Sequence, residues 1–356
     1  MTADTLIAWP DLGRQADFER WLAPLCNTHR LDRASLAPAS SDASFRRYFR
    51  ILGTPRAPSP SMIVMDAPPP QEDVRSFIDV AGRIQAAGLH APQVFAADEA
   101  RGFVLLADLG PHLYLDALQA ADPARAHHLM KDALAALAQW QRRGVADGLP
   151  CYDQALLQRE MQLFPDWCVA REFKLEWTAT QRSTWDRVTR ALVQSALAQP
   201  QVAVHRDWMP RNLMVCEPNP GILDFQDAVR GPITYDIASL LRDAFISWDE
   251  EREIDWAARW WEAARRDGLL AGHAMAEDFG EAWRAIEWMG LQRHLKVLGI
   301  FCRLKHRDGK ARYSSDLPRF FAYVTKVAMR YRELAPLVAL IEPMSGIRLN
   351  TGLSMR

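Results

Sequence analysis

Hydrophobic and polar residues follow different periods in different parts of the chain. Residues 16–25 place their apolar side chains on one helical stripe. Between residues 35 and 65 the pattern is typical of strands separated by turns, with several prolines marking an exposed loop. Residues 73–87 have a helical pattern, and two strand-like runs at 93–97 and 102–107 predict a hairpin. The sequence therefore predicts a β-rich amino-terminal region.

The pattern changes at Asp108-Leu109-Gly110 and is mostly helical from there onward. We predict an α+β fold of two lobes, a small β-rich lobe over residues 1–108 and a large, mainly helical lobe over residues 109–356. The length of 356 residues and the 49% hydrophobic content suit such a division. In the second lobe a continuous apolar stripe should be buried: Trp288, Leu291, Leu295, Leu298 and Cys302.

Two short motifs combine the residue types that phosphoryl transfer requires. His205, Asp207 and Asn212 form a His-x-Asp-x-x-x-x-Asn element, and Asp224 follows the apolar pair Ile222-Leu223. Asp207 could accept the proton of an attacking hydroxyl, while Asn212 and Asp224 could hold Mg²⁺ on the phosphates of ATP. The alternative is a polar turn in which an aspartate caps the backbone. The spacing and the apolar flanks favour the catalytic interpretation.

These motifs resemble those of the aminoglycoside phosphotransferase and choline-kinase-like branch of the protein-kinase-like superfamily. In that branch the metal-binding aspartate lacks the following glycine of protein kinases; here Phe225-Gln226-Asp227 follows Asp224, and the run 235–243 resembles the continuation. The resemblance implies a protein-kinase-like fold with ATP and Mg²⁺ as cofactors. It also implies that His205 orients the catalytic loop and that Asp236 braces it.

Three segments nearer the carboxyl terminus, 299–304, 307–313 and 316–319, resemble a narrower group. This group comprises the bacterial sugar kinases that phosphorylate the anomeric hydroxyl of N-acetylmuramate and N-acetylglucosamine in cell-wall recycling, so the resemblance implies an amino sugar as acceptor. Other possibilities stay open: a kinase of an aminoglycoside, choline or an amino acid, or a nucleotide-binding regulator without activity. A protein kinase is disfavoured because no Ala-Pro-Glu segment follows Asp224.

The amino-terminal lobe departs from the kinase pattern at its phosphate-binding residues. No lysine precedes Lys131, so the usual lysine of the third strand is missing, and residues 41–44 contain no glycine-rich loop. A guanidinium can grip phosphate oxygens through two donors. We therefore predict an active kinase, rather than an inactive one, in which the phosphate cation comes from a nearby strand: Arg46, Arg47 or Arg50.

Further candidates concern the nucleotide and the acceptor. Ala107 and Leu109 lie at the predicted hinge and are expected to contact ATP. Trp208 could pack on a sugar face, and Asp227 could accept hydrogen bonds from sugar hydroxyls or cap a turn. Two arginines of a basic stretch would suit an anionic acceptor such as the lactyl carboxylate of N-acetylmuramate, although a solvated charged loop is the other interpretation. They are Arg303 and Arg307.

Charge and cysteine content disfavour several classes of protein. The 43 basic and 44 acidic side chains leave a formal net charge of −1, so we expect no nucleic-acid or membrane partner. The five cysteines are scattered without a Cys-x-x-Cys pair, which argues against a disulfide framework and a zinc site. No stretch resembles a signal peptide or a membrane span. We expect a cytoplasmic enzyme that acts on small molecules, and no obligate protein partner is evident.

Overall fold

The computed structural model describes residues 7, 9, 11–41 and 45–346 of the chain. Contacts divide it into two compact units. The sheet unit comprises Met1–Leu113 and Asn212–Asp227, and the helical unit comprises Tyr114–Arg211 and Ala228–Arg356. Residues 212–227 thus group with the amino-terminal part of the chain, a feature that the sequence did not indicate, and the predicted boundary at residue 108 stays a prediction.

The described residues before residue 113 contain five strands and two helices, and helices dominate the remainder. The strands are β1 (Leu31–Ser41), β2 (Arg47–Gly53), β3 (Ser61–Asp66), β4 (Val94–Asp98), β5 (Phe103–Ala107), β6 (Gln201–Val204), β7 (Leu213–Met214), β8 (Gly221–Ile222) and β9 (Val229–Pro232). The helices are α1 (Leu12–His29), α2 (Val74–Ala86), α3 (Tyr114–Gln119), α4 (Pro123–Arg143), α5 (Gln154–Leu163), α6 (Ala179–Ala198), α7 (Tyr235–Leu241), α8 (Glu250–Arg266), α9 (Phe279–Asp308), α10 (Leu317–Arg330) and α11 (Pro336–Ser345). A π-helical segment, Phe164–Glu172, follows α5 directly. The predicted α+β class is confirmed.

The sheet unit is built on five antiparallel strands in the order β1-β2-β3-β5-β4. The register places Phe49 opposite Val64 and Val64 opposite Leu105, and these side chains share a core with Phe18 and Leu22 of α1. Alternation along the strands therefore buries one face of the sheet under α1. The predicted helix at 16–25 is confirmed, and it is longer than predicted at both ends.

Capping by aspartate side chains explains where many of the helices begin. Asp73 lies just before α2, and its carboxylate accepts a hydrogen bond from the backbone N–H of Arg75. The predicted helix over 73–87 is confirmed, with the first and last predicted residues serving as its caps. The same device starts several other helices: α1 at Asp11, α4 at Asp122, α5 at Asp153, α8 at Asp249 and α9 at Asp278.

The helical unit is organised around the 30-residue helix α9. Every residue of the predicted apolar stripe on this helix is buried, as expected. The helix is also buried on its other sides between residues 285 and 302, and there it carries charged side chains into the interior. A helix in this position is normally apolar all round, so the buried charges need a separate explanation. Within the described residues, no helix combines the length and apolar character that crossing a bilayer would require.

Candidate functional site

A short hairpin in the sheet unit brings the two predicted metal ligands together. β7 and β8 pair through Leu213 and Ile222, and the backbone N–H of Leu223 donates to the carbonyl of Asn212 at 2.9 Å. Asn212 and Asp224 flank this hairpin on either side. The Asn212 amide Nδ2 donates to Oδ2 of Asp224 at 3.2 Å. Two residues twelve positions apart in sequence thus lie side by side because the strands between them pair.

Asp224 is held in place by its neighbours on both sides. Its backbone has a φ of +59°, a left-handed conformation that non-glycine residues seldom adopt. Gln226 donates its side-chain N–H to Oδ1 of Asp224 at 2.8 Å. Phe225 is fully buried, with its ring centroid 4.7 Å from that of Phe77 on α2. The packing of Phe225 and the amide donors therefore fix the direction of the Asp224 carboxylate, at an unfavourable backbone angle that functional sites often retain.

The donor chemistry of this pair fits a magnesium ion bound together with a nucleotide. One carboxylate and one amide supply oxygen ligands, which Mg²⁺ prefers, and Mg²⁺ commonly takes its remaining ligands from phosphates and water. Across the described part of the chain, no group of three or more His, Cys, Asp or Glu side chains is arranged to hold a metal by itself. The pair is thus suited to a metal that arrives with phosphates.

Arg46 forms a buried ion pair close to this hairpin in the sheet unit. Its Nη2 lies 2.8 Å from Oε2 of Glu72, just before α2, and both side chains are largely buried. Glu72 also accepts a hydrogen bond from the backbone N–H of Phe45 at 3.2 Å. Burial opposes the charge of Arg46, but nearby Tyr48, Glu72 and Asp224 outweigh it and raise the pKa of Arg46. A permanent cation therefore lies within electrostatic reach of the predicted metal ligand.

The other two predicted phosphate-binding arginines pair with carboxylates on β3 and in the segment that follows β5. Arg47 pairs with the fully buried Asp66, which Arg14 also contacts, and its guanidinium lies 4.3 Å from the ring centroid of Trp9. Arg50 donates to Asp108 through Nη2 at 3.0 Å and to the carbonyl of Gly110 at 3.1 Å. These contacts tie Arg47 into the sheet and tie Arg50 to the segment that follows β5.

The predicted hinge is fixed by hydrogen bonds around Asp108. Its carboxylate accepts from Arg50, from the hydroxyl of Ser61 and from the backbone N–H of Gly110. Burial would raise the pKa of Asp108, but these donors lower it below its ordinary value. Leu109 is buried, and it approaches Gly221 so closely that a Cβ there would lie 2.8 Å from its side chain. Leu109 therefore supports the metal-ligand hairpin, and ATP contact by Ala107 and Leu109 stays a prediction.

In the helical unit the loop that carries Asp207 follows β6 and is held by Asp236, the second residue of α7. Its carboxylate accepts from the backbone N–H groups of His205 at 2.7 Å and Arg206 at 2.9 Å. These bonds stabilise Arg206 at a φ of +76°. Burial raises the pKa of Asp236 to about 7, although both N–H donors oppose the shift. This geometry agrees with the bracing role that the family resemblance implies for Asp236.

His205 holds the backbone of Asp207, two residues further along the loop. Its ring is buried, and Nδ1 accepts a hydrogen bond from the backbone N–H of Asp207 at 3.2 Å. The ring also packs edge-on against Trp208, with 5.5 Å between centroids. Because Nδ1 is an acceptor in this contact, the proton of a neutral ring lies on Nε2. The arrangement suits a residue that shapes the loop.

Charged residues that the sequence reasoning missed surround Asp207. Nη2 of Arg293 on α9 lies 3.3 Å from Oδ1 of Asp207. Arg206 and Lys296 both pair with the buried Glu160 on α5, with Lys296 Nζ at 3.2 Å from its Oε1. Burial would raise the pKa of Asp207, but the charges of Arg293, Lys296 and Arg206 lower it below its ordinary value. The proposed base is therefore held as a carboxylate at neutral pH.

Comparisons with known proteins agree with these features. Residues 35–290 match the model of the phosphotransferase enzyme family. The chain belongs to this family. An N-acetylmuramate/N-acetylglucosamine kinase from Pseudomonas aeruginosa is 52% identical over 308 residues, which cover 86% of this chain and 88% of the relative. A protein of the same name from Neisseria meningitidis is 44% identical over 334 residues, covering 94% and 96%. The prediction that the chain is a small-molecule kinase of this family is confirmed.

Solved structures of two kinases have a fold similar to that of this chain. An ethanolamine kinase from Plasmodium vivax matches with a TM-score of 0.62 at 9% identity, covering 91% of this chain and 92% of that one. The ADP-bound aminoglycoside phosphotransferase APH(2'')-Ib matches with a TM-score of 0.55 at 12% identity, covering 86% and 98%. These likenesses confirm the predicted protein-kinase-like fold.

The candidate acceptor-binding residues occupy varied surroundings. Trp208 has 0% of its surface exposed, and its Nε1 has no hydrogen-bond partner among the described residues. Asp227 is exposed. Arg303 is partly buried, which together with the charge of Arg307 lowers its pKa, and the exposed Arg307 donates to Asp308 at 2.7 Å. Contact of any of these residues with an acceptor stays a prediction.

The rest of the predicted basic stretch is largely engaged within the helical unit. Lys305 and His306 both contact Glu172, each at 2.6 Å. One carboxylate thus takes up two of the six basic side chains between residues 303 and 312. The sequence did not reveal this pairing because Glu172 lies more than 130 positions earlier in the chain.

Proposed function

We propose that this enzyme transfers the γ-phosphoryl group of ATP to the anomeric hydroxyl of N-acetylmuramate and N-acetylglucosamine. The observation that carries the proposal is the 52% identity, over 86% of the chain, to a relative named for these two acceptors. The product would be a sugar 1-phosphate, and the reaction would serve the recycling of cell-wall sugars in the cytoplasm, where ATP is available.

The proposed mechanism assigns one role to each of three residues. The acceptor oxygen attacks the γ-phosphorus in line, an O–P bond forms, and the bond to the β,γ-bridging oxygen breaks so that ADP leaves. Asp207 accepts the hydroxyl proton. Asn212 and Asp224 would hold Mg²⁺, which neutralises phosphate charge when bound. Positioning and charge neutralisation supply most of the acceleration, because the transition state is loose and requires little from the base.

Arg46 is the proposed substitute for the missing lysine of the third strand. Arg46 lies one residue before β2 and not on the strand as expected, but its pairing with Glu72 is similar to the kinase pair of a strand lysine and a helix glutamate. Its charge also acts on Asp224, one of the two proposed metal ligands. Arg47 and Arg50 have carboxylate partners in the sheet and at the hinge, so we expect them to contribute less to ATP binding.

An acceptor panel tests this proposal. The enzyme is incubated with magnesium ATP and one acceptor at a time, and ADP release is followed with N-acetylmuramate, N-acetylglucosamine, choline, ethanolamine and an aminoglycoside. We expect ADP release that depends on the two N-acetylated sugars. ADP release only with an amino alcohol or an aminoglycoside would indicate a kinase of the same fold with a different acceptor. ATP binding without ADP release, whichever acceptor is added, would indicate a nucleotide-binding regulator.

A further inference from the structure

Arg293 is the charged residue of α9 that contacts the proposed base directly. Its Nη2 lies 3.3 Å from Oδ1 of Asp207 and 3.7 Å from the sulfur of Met209. One guanidinium nitrogen therefore touches two residues of the catalytic loop. The Arg293 side chain is 8% exposed and that of Asp207 is 30% exposed, so solvent still reaches the Asp207 side chain that the buried Arg293 contacts.

The position of Arg293 is costly for folding. Its neighbours on α9 are buried, and its Nε has no hydrogen-bond partner among the described residues. Desolvating a charged donor without full pairing is unfavourable, and well-packed apolar residues often replace buried ion pairs without loss of stability. Fold stability alone thus does not explain an arginine at this position, whereas a contribution to the reaction would explain it.

Arg293 complements Asp236 in holding the loop. Asp236 binds the backbone at residues 205 and 206, and Arg293 contacts the side chains at 207 and 209. The ring centroid of Tyr235, the sequence neighbour of Asp236, lies 5.9 Å from the Arg293 guanidinium carbon. Lys296, one turn further along α9, differs because it engages Glu160 and the hydroxyl of Tyr235.

We propose that Arg293 is a positioning residue for phosphoryl transfer, whose guanidinium holds the Asp207 carboxylate through Oδ1 in the orientation that meets the acceptor hydroxyl. This inference rests on the proposed function, because Arg293 acts through the base. Its positive charge also lowers the pKa of Asp207, so the same contact keeps the carboxylate ionised. A misplaced catalytic group can cost about a hundredfold in rate, which sets the size of the expected effect.

Two substitutions of Arg293 separate orientation from charge. In Arg293→Gln, kcat should fall about 10- to 100-fold while the KM for ATP changes less than about threefold, because the base is disordered and the nucleotide is not. The acid limb of the kcat–pH profile should move to higher pH, because loss of the cation raises the Asp207 pKa. Arg293→Lys keeps the positive charge but lacks the planar guanidinium group. The acid limb of the kcat–pH profile should therefore lie at its wild-type pH, while kcat stays below the wild-type value.

Arg284→Gln is the matched control. It lies on the same helix and pairs with Glu333 at 2.9 Å on a partly exposed surface. It should leave kcat and the pH profile unchanged. Arg293→Gln with a kcat within about twofold of the wild type and an unmoved acid limb overturns the proposal. If that variant does not fold, a folded Arg293→Lys with wild-type kcat overturns it equally. Absence of sugar-dependent ADP release in the wild type would instead refute the proposed function.

Discussion

The two units use buried charge differently. In the sheet unit, three arginines each pair with a different carboxylate: Arg46 with Glu72, Arg47 with Asp66 and Arg50 with Asp108. In the helical unit, Asp207 lies among several cations, and one long helix supplies two of them. Local pairing in the sheet unit fixes strands and a hinge. The positive charges of Arg293, Lys296 and Arg206 lower the pKa of Asp207 and keep this carboxylate ionised, which serves chemistry more than folding.

The largest expected effect comes from removing one carboxylate from each unit. Asp207→Asn and Asp224→Ala should each lower kcat by more than about a thousandfold, because each removes a group that the proposed mechanism uses in the transition state. Asp207→Asn should still bind magnesium ATP, whereas Asp224→Ala should lose the magnesium dependence of nucleotide binding. Kinetics and calorimetric titration measure the two quantities.

The control for this pair is Asp186→Asn, an exposed aspartate on α6. It should behave like the wild type in both measurements. Turnover within about tenfold of the wild type in either active-site variant would refute the assigned role.

The next largest effect is on the free energy of unfolding, which should fall by different amounts when a buried ion pair is broken in each unit. Arg242 contacts Glu253 at 3.1 Å and Glu287 at 2.9 Å, and all three side chains are at most 2% exposed. Arg242→Met should lower the free energy of unfolding by about 3–5 kcal/mol, because it leaves buried carboxylates with fewer partners. Arg47→Gln should cost less, since Asp66 keeps Arg14. Urea denaturation measures both.

Arg259→Gln is the control for Arg242→Met, because Arg259 forms an exposed pair with Asp255. It should change the free energy of unfolding by less than about 1 kcal/mol. Equal losses for Arg242→Met and Arg259→Gln would contradict the distinction between buried and surface charge.

A pH effect of intermediate size should come from His294, buried in the helical unit. Its Nε2 lies 3.2 Å from the carbonyl of Arg242, and burial lowers its pKa from 6.5 to about 3. Below pH 6.5 the unfolded chain binds a proton that the folded protein does not. This contribution to stability is therefore present above pH 6.5 and is lost as pH falls toward 3.

Comparison with His294→Gln isolates this effect from carboxylates that titrate in the same range. Between pH 7 and pH 5 the wild type should lose about 2 kcal/mol more of its free energy of unfolding than the variant does. Urea denaturation at the two pH values measures the difference. Equal losses would show that His294 accepts a proton in the folded protein.

The smallest expected effect is on the KM for ATP, which should differ among variants of the three arginines of the sheet unit. Arg46→Gln should raise the KM for ATP about tenfold or more, because its charge acts on Asp224 and on the proposed phosphate position. Arg47→Gln and Arg50→Gln should change it less than about threefold, since their partners belong to the sheet and the hinge. If all three variants have the wild-type KM, another group must supply the phosphate cation.

The sequence predicted features that depend on local patterns and on residue type. Alternation located the strands, and Asp73 marked the start of α2, because both signals lie within a few residues of the structure they specify. The pairing of Asn212 with Asp224 was also expected, since only a short hairpin separates the two residues.

Partnerships between distant residues could not be predicted in this way. Arg293 lies on a helix for which the three- and four-residue spacing identified one buried face, but the helix is buried on several sides. Its contact with Asp207 spans 86 positions, and that of Arg206 with Glu160 spans 46. Nothing in the composition of either segment indicates such a contact, because tertiary packing alone brings them together.

The most direct test of the central claim is phosphorus NMR of the wild-type enzyme with magnesium ATP and N-acetylmuramate carrying ¹³C at the anomeric carbon. We predict a new phosphate signal coupled to that carbon, formed together with ADP, and its absence with Asp207→Asn. A phosphate signal coupled to no labelled carbon, or ATP that stays intact in the presence of the sugar, would contradict the account.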